Sequence, residues 1–136
     1  MTAPVRPPEG GTPPPEQATL ADGTLLDLRP LAEEICRRYR AEFPDEQGRY
    51  GDAGIAWCVH DNQHILQWAV VATTYDETIL TTQVAWLAGL LAARSFPLPR
   101  LVRDLELAAD VMRVQAPAVA EALLGARSAA AGSTPE

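Results

Sequence analysis

The chain has 136 residues, 47% of them apolar, and carries 11 basic against 18 acidic side chains for a formal net charge of −7, which suits one globular domain. Every basic residue is Arg, and the acidic excess excludes a basic nucleic-acid footprint, so no nucleic-acid partner is expected. No apolar run reaches the roughly eighteen residues of a membrane span, and the opening M-T-A-P-V-R-P-P-E-G-G-T-P-P-P lacks the apolar centre of a signal peptide. No membrane partner and a cytoplasmic location are therefore expected.

Residues 1–19 hold six of the twelve prolines, with Gly10 and Gly11 and almost no large apolar side chain. Such a segment cannot offset the entropy of ordering its backbone, and residues 1–22 are expected to form a disordered, Pro-rich arm. The string P-P-P-E lacks the flanking basic anchor of a proline-recognition ligand, so a solvated tail is the plainer account. Residues 128–136, rich in Ala, Gly and Ser, are expected to be a second loose tail. That leaves 23–127 as the folded unit.

Within it, apolar residues recur at helical spacing and nowhere alternate for the length of a strand, which predicts an all-α fold. A first helix starts near Pro30, whose missing N–H costs nothing in a first turn, and runs through Leu31, Ile35, Cys36, Tyr39 and Phe43 until Pro44. Leu25 and Leu28 add a turn before it. The stretch P-D-E-Q-G-R-Y-G reads as a loop, after which Asp52 caps a second helix reaching about Thr73. Its apolar face is Ile55, Val59, Leu66, Ala69 and Val70, with Trp68 beside it. Asp76 caps a third helix with the stripe Ile79, Leu80, Val84, Leu87, Leu90 and Leu91, and Trp86 at its margin. The S-F-P-L-P segment breaks the chain, and Pro99 seats a fourth helix that faces Leu98, Leu101, Val102, Leu105, Ala109 and Met112 inward. A last short helix runs from Pro117 to Leu124 and stops at Gly125. Short connections favour antiparallel neighbours, so the expected architecture is an antiparallel four-helix bundle with a short additional C-terminal helix.

Few residues offer chemistry. Cys36 and Cys58 lie in apolar-periodic stretches and form no C-x-x-C pair, and they read as small buried hydrophobes rather than a disulfide. The only histidines, His60 and His64, stand four apart on one face of the second helix, where two imidazoles can grip one metal ion. The string H-D-N-Q-H has the spacing of the zinc-protease H-E-x-x-H, but Asp61 replaces the glutamate, and a third ligand would have to come from Asp61, Asp76, Glu77, Cys36 or Cys58. The plainer account is a solvent-facing His60 and a partly buried His64 hydrogen-bonded inside the bundle. His64 near Trp57, Trp68 and Trp86 also suggests a flat ligand of the tetrapyrrole type, haem-like or cobalamin-like, although aromatics at helical spacing are more often core.

Asp76 and Glu77 look like first-turn carboxylates favoured by the helix dipole. Thr73, Thr74, Thr78, Thr81, Thr82 and Gln83 crowd the turn between helices two and three, where hydroxyls usually bond back to the chain but can line the polar end of a pocket. There is no glycine-rich phosphate loop, no G-x-S-x-G elbow and no catalytic Cys-His context, so no catalytic residue is assigned and the chain is not expected to be an enzyme.

The stretch R-Y-G-D-A-G-I-A-W-C-V-H-D-N-Q-H-I-L-Q-W-A, continued by Q-V-A-W-L-A-G-L-L-A-A-R-S-F-P-L-P-R-L-V-R-D-L-E, resembles the helical module that precedes cobalamin-binding domains in bacterial sensor and regulator proteins. The resemblance rests on Tyr50, Gly51, Cys58, Asp61, His64, Val84, Trp86, Arg94 and Pro97 and spans residues 27–113. The Asp-x-His-x-x-Gly ligand motif of the cobalamin domain is absent, and no Trp here stands nine residues before a Glu-His pair, as it does in the light-sensing members. The resemblance implies a free-standing sensory or regulatory module; taken with the missing catalytic motifs it is expected to be non-enzymatic, to need no cofactor and to work through protein–protein contact, an apolar stripe left over on helix three serving a partner helix or a homodimer. The alternative is a small-molecule or tetrapyrrole binder using His64, Trp57, Trp68, Trp86 and Asp61, with His60 and His64 as a metal pair in a third account.

Overall fold

The computed structural model describes residues 13–132. The first part of the expected Pro-rich arm, residues 1–12, and the last of the expected tail, 133–136, lie outside the described residues. What is described is mostly helical, as the periodicity predicts, with six helices and one short hairpin among the described residues.

The hairpin departs from expectation. Strands β1 (Gln17–Thr19) and β2 (Leu25–Asp27) pair antiparallel, Ala18 opposite Leu26. The Leu20 N–H donates to the Thr24 carbonyl at 2.8 Å, and the Thr24 N–H donates to Asp22 Oδ1 at 2.9 Å. Gly23 takes φ +90°, a conformation that costs a glycine little. Asp22-Gly23 is thus a turn, and strands of three residues are too short for alternation to show. Leu26 is buried and ties the hairpin to the core, so part of the segment expected to be disordered, 17–19, is ordered as β1.

Helix α1 (Leu28–Glu42) buries Leu28, Ala32, Ile35, Cys36 and Tyr39, one stripe at helical spacing. It stops at Phe43 because Pro44 follows. The next residues were expected to loop, but α2 (Asp45–Thr74) begins at once. Pro44 both ends α1 and sits at the start of α2, where its missing N–H is harmless, and Asp45 and Glu46 place acid in the first turn, where the helix dipole favours it. The interruption comes later, at Gly51 (φ 61°, ψ −157°), and the predicted start at Asp52 corresponds to the second part of α2. Beyond it, Ile65, Leu66, Ala69 and Val70 are buried, whereas Ile55 is exposed.

Helix α3 (Thr78–Ala93) follows an Asp76 carboxylate that accepts the Thr78 N–H at 3.0 Å. It buries Leu80, Val84, Leu87 and Ala88. Helix α4 (Leu98–Met112) carries the most regular core face, with Leu101, Leu105, Ala108, Ala109 and Met112 buried, and α5 (Pro117–Gly125) and the single turn α6 (Arg127–Ala130) close the molecule. Helix α1 packs on α2 and α4, α2 also packs on α3 and α5, and α3 meets α6.

Cys36 of α1 and Cys58 of α2 form a disulfide, with Cα atoms 6.1 Å apart. This corrects the expectation of two free buried thiols: the α1–α2 packing brings together two positions whose spacing in sequence forms no motif.

Candidate functional site

A cavity of about 340 Å³ lies between α1, α2, α3, α4 and the segment joining α3 to α4. Its walls are Ala53, Gly54, Trp57 and Ile65 of α2, Leu87 and Leu91 of α3, Leu101 of α4, and the rings of Tyr50 and Phe96, whose centroids are 6.3 Å apart. The polar lining groups are Tyr39, Glu46, Asp61, Asn62, Arg94, Arg100 and Asp104, and Cys58 of the disulfide also reaches it. An apolar enclosure with a few convergent polar groups is the usual form of a small-molecule site.

The polar groups fall into two sets. One is internally satisfied. Glu46, buried, accepts the Tyr39 hydroxyl at 2.8 Å and the Arg100 guanidinium at 2.8 Å, and Arg100 also bridges to Asp45 at 3.0 Å and lies over the Phe43 ring at 4.4 Å. Carboxylates on both sides hold the Arg100 guanidinium charged, while burial and the neighbouring Glu46 push the Tyr39 hydroxyl above its ordinary range. This cluster clamps the start of α2 to α1 and α4.

The other set is not. Asn62 is 2% exposed, and its amide nitrogen faces Asp104 Oδ1 at 3.0 Å, the Cys58 carbonyl at 3.0 Å and the sulfurs of Cys36 and Cys58 at 3.6 and 3.5 Å. With four acceptors around the nitrogen the orientation of the amide is fixed, and its Oδ1 is left buried with no hydrogen-bond partner. Asp104 is buried too and accepts only the Asn62 bond among the described residues. Loss of hydration pushes its carboxyl up to about 7, the Asn62 bond opposing and the Asp61 charge adding to the shift.

Of the residues singled out from the sequence, Trp57 and Asp61 line this cavity. His60 and His64 do not. They form a ladder along α2 in which Trp57, His60 and His64 meet edge to face and His64 meets Trp68 at a tilt, with ring centroids 5.5, 4.7 and 5.9 Å apart. His60 Nδ1 sits 3.0 Å from Asp61 Oδ1. The spacing therefore places the two imidazoles together, but no group of three or more His, Cys, Asp or Glu is arranged to hold a metal among the described residues. Trp86 stands apart from both ladder and cavity, 59% exposed on α3. The threonines between α2 and α3 bond locally: Thr73 and Thr74 hydroxyls donate to the Val70 carbonyl and Thr81 to that of Thr78.

Sequence reasoning missed Asn62, Asp104, Glu46 and Arg100. For two of them a signal existed. Asp104 falls on the apolar period of α4 between Leu101 and Leu105, and Asn62 falls between Cys58 and Leu66 on α2. A polar residue inside a core stripe is worth singling out. No protein-family model, curated protein or solved structure matches the chain.

Proposed function

We propose that this chain is a non-enzymatic helical regulatory module that binds a small molecule in the cavity between α2, α3 and α4. The observation that carries the proposal is the buried Asp104 carboxyl, held by a single neutral amide, in the wall of a cavity with a largely apolar surface. A buried carboxyl with so few partners is costly, and a ligand that supplies donors to it reduces the cost. The tetrapyrrole form of this account needs His64 at the cavity, and its ring instead lies between those of His60 and Trp68, outside the cavity lining. The ligand is accordingly assigned to Asp104 and Trp57, with Asn62 holding Asp104 in place. In this account the four longer helices make up the antiparallel bundle, and the likeness to the module ahead of cobalamin-binding domains points to a sensory role.

The test is ligand-induced stabilisation. A chemically diverse panel is expected to contain compounds that raise the melting temperature of the wild type and not that of a Leu91→Trp variant, whose larger side chain fills the cavity. Circular dichroism confirms that the variant is folded. A panel in which no compound class stabilises the wild type overturns the proposal.

A second observation favours protein–protein contact as the output. Helix α3 contains no charged residue along its whole length, and Trp86 and Leu90 are exposed on it beside Ala85 and Gly89. On a chain of net charge −7, this is a face on which two copies can meet without bringing like charges together. We assign it to a second copy of the chain, the homodimer expected from the sequence. Sedimentation velocity is expected to find a dimer that Trp86→Glu converts to monomer, and a wild type that remains monomeric at high concentration excludes it.

Among the described residues no helix is long and apolar enough to cross a membrane. The cytoplasmic location expected from the sequence has the Cys36–Cys58 disulfide against it, since such bonds persist mainly in oxidising compartments.

A further inference from the structure

The charge and hydrogen-bonding character of the cavity says which chemical class it selects. We propose that the site takes a compact organic ammonium ion, its –NH₃⁺ group held by the Asp104 carboxylate and its apolar body lodged against Trp57, Ile65 and Leu87. This rests on the assignment of the cavity as a ligand site and goes further by naming the class.

The argument is one of donors and acceptors. The under-satisfied group that reaches the cavity is an acceptor once ionised: Asp104 accepts one bond, from a neutral amide, whereas Asn62 Oδ1 is sealed from solvent. A hydroxyl offers the carboxylate one donor but also brings lone pairs, whereas an ammonium has three donors, no acceptor and the opposite charge. A carboxylate placed against the ionised Asp104 is repelled.

The charge balance agrees. Glu46 and Arg100 neutralise each other within the clamp, which leaves Asp61 and Asp104 in the lining against the exposed Arg94. The face of an indole such as Trp57 also attracts cations. A buried carboxylate paired only to a neutral amide is poorly stabilised as an anion, and an entering cation supplies the missing countercharge.

The groups facing Asp104 around the cavity are Tyr39 from α1, Glu46 and Asp61 from α2, Arg94 after α3, and Arg100 from α4 itself. None of them donates a hydrogen bond to Asp104. The proton on Asp104 therefore decides binding: it must leave before the ammonium can pair, and the carboxyl holds it until about pH 7.

The experiment uses the full chain and three probes of one shape: tryptamine as the cation, tryptophol as its neutral counterpart and indole-3-acetate as the anion. Isothermal titration is expected to show tryptamine binding at least about tenfold tighter than tryptophol, with no binding of indole-3-acetate. Tryptamine affinity is expected to fall toward about tenfold per pH unit as the pH drops below about 7, with a proton released on binding. Asp104→Asn keeps the acceptor for Asn62 but removes the charge, and is expected to abolish both the preference and the pH dependence while the variant stays folded.

Equal binding of tryptamine and tryptophol, or a preference that survives Asp104→Asn, overturns the ammonium assignment and leaves the ligand site standing. Stabilisation by other compound classes that Leu91→Trp abolishes, with no binding of tryptamine, does the same. Failure of these probes together with the whole panel overturns both.

Discussion

Asp104 holds its proton more tightly in the folded chain than an unfolded aspartate does, about 7 against 3.8, because burial removes the water that would stabilise its charge. A raised folded value means that the native state binds more protons than the unfolded state between those limits. The contribution of this group to stability is thus fully present below about pH 4 and is lost as the pH rises through about 7. Glu42 and Asp45 act in the opposite sense, since Arg103 and Arg100 hold their carboxyls below the usual range, so the pH profile of the wild type alone mixes the two. The difference between wild type and Asp104→Asn isolates the buried group. Denaturant melts are expected to find the variant more stable at about pH 8, by on the order of 2–4 kcal/mol at about 1.4 kcal/mol per pKa unit, with the advantage vanishing by about pH 4. A gap that stays constant with pH would show that Asp104 does not titrate in this range. Asp104 and Asn62 were visible in the sequence as polar interruptions of apolar stripes. The clamp of Glu46 and Arg100 was not, because the two residues stand 54 positions apart and meet only after α1, α2 and α4 have packed.

The site depends on how α2 is built. Gly51 adopts φ 61° with ψ −157°, a conformation that side chains with a Cβ avoid, and its carbonyl accepts the Arg40 guanidinium at 3.2 Å. This break carries Tyr50 on one part of the helix and Gly54 and Trp57 on the other to the same cavity. Gly54 is needed for space: a Cβ there would stand 2.5 Å from Arg40 Nη2 and 2.6 Å from Tyr50 Cβ. Gly51→Ala is expected to destabilise the fold by about 1–3 kcal/mol through backbone strain, and Gly54→Ala to displace Tyr50. Gly48→Ala, in the same helix with open space around its Cβ, is expected to be neutral or to stabilise by about 0.5–1 kcal/mol. Urea unfolding of the three variants checks the order, and a Gly48 variant as unstable as the Gly51 variant would remove the special status of the break. The helices were legible because their apolar stripes repeat over three or more turns. The start of α2 was not, since two glycines among polar residues imitate a loop when only local composition is weighed, whereas Pro44 followed by Asp45 and Glu46 is a helix opening. The hairpin escaped for a different reason: its register is set by the Asp22-Gly23 turn and by Leu26 reaching the core, not by its own alternation.

At the scale of the whole molecule, α1 and α2 are held together twice, by packing and by the Cys36–Cys58 bond. The bond closes a segment with a sequence separation of 22, enclosing the last turns of α1, Pro44 and the break at Gly51. A cross-link of this span removes conformations mainly from the unfolded chain and is worth about 3 kcal/mol. Both sulfurs touch Asn62, and Cys58 lines the cavity, so the link that stabilises the molecule also borders its candidate site. Reduction is expected to lower the unfolding free energy by about 3 kcal/mol, and a Cys36→Ser, Cys58→Ser double variant is expected to match the reduced wild type and to ignore reductant. Ligand binding should weaken in parallel, because the Asn62 amide that holds Asp104 loses its fixed surroundings. Guanidinium denaturation with and without dithiothreitol, read beside the double variant, separates these effects. If the oxidised and reduced wild type unfold at one midpoint, the crosslink contributes no stability; if the midpoint moves and ligand affinity does not, the disulfide is a staple for the helices alone and has no hold on the cavity.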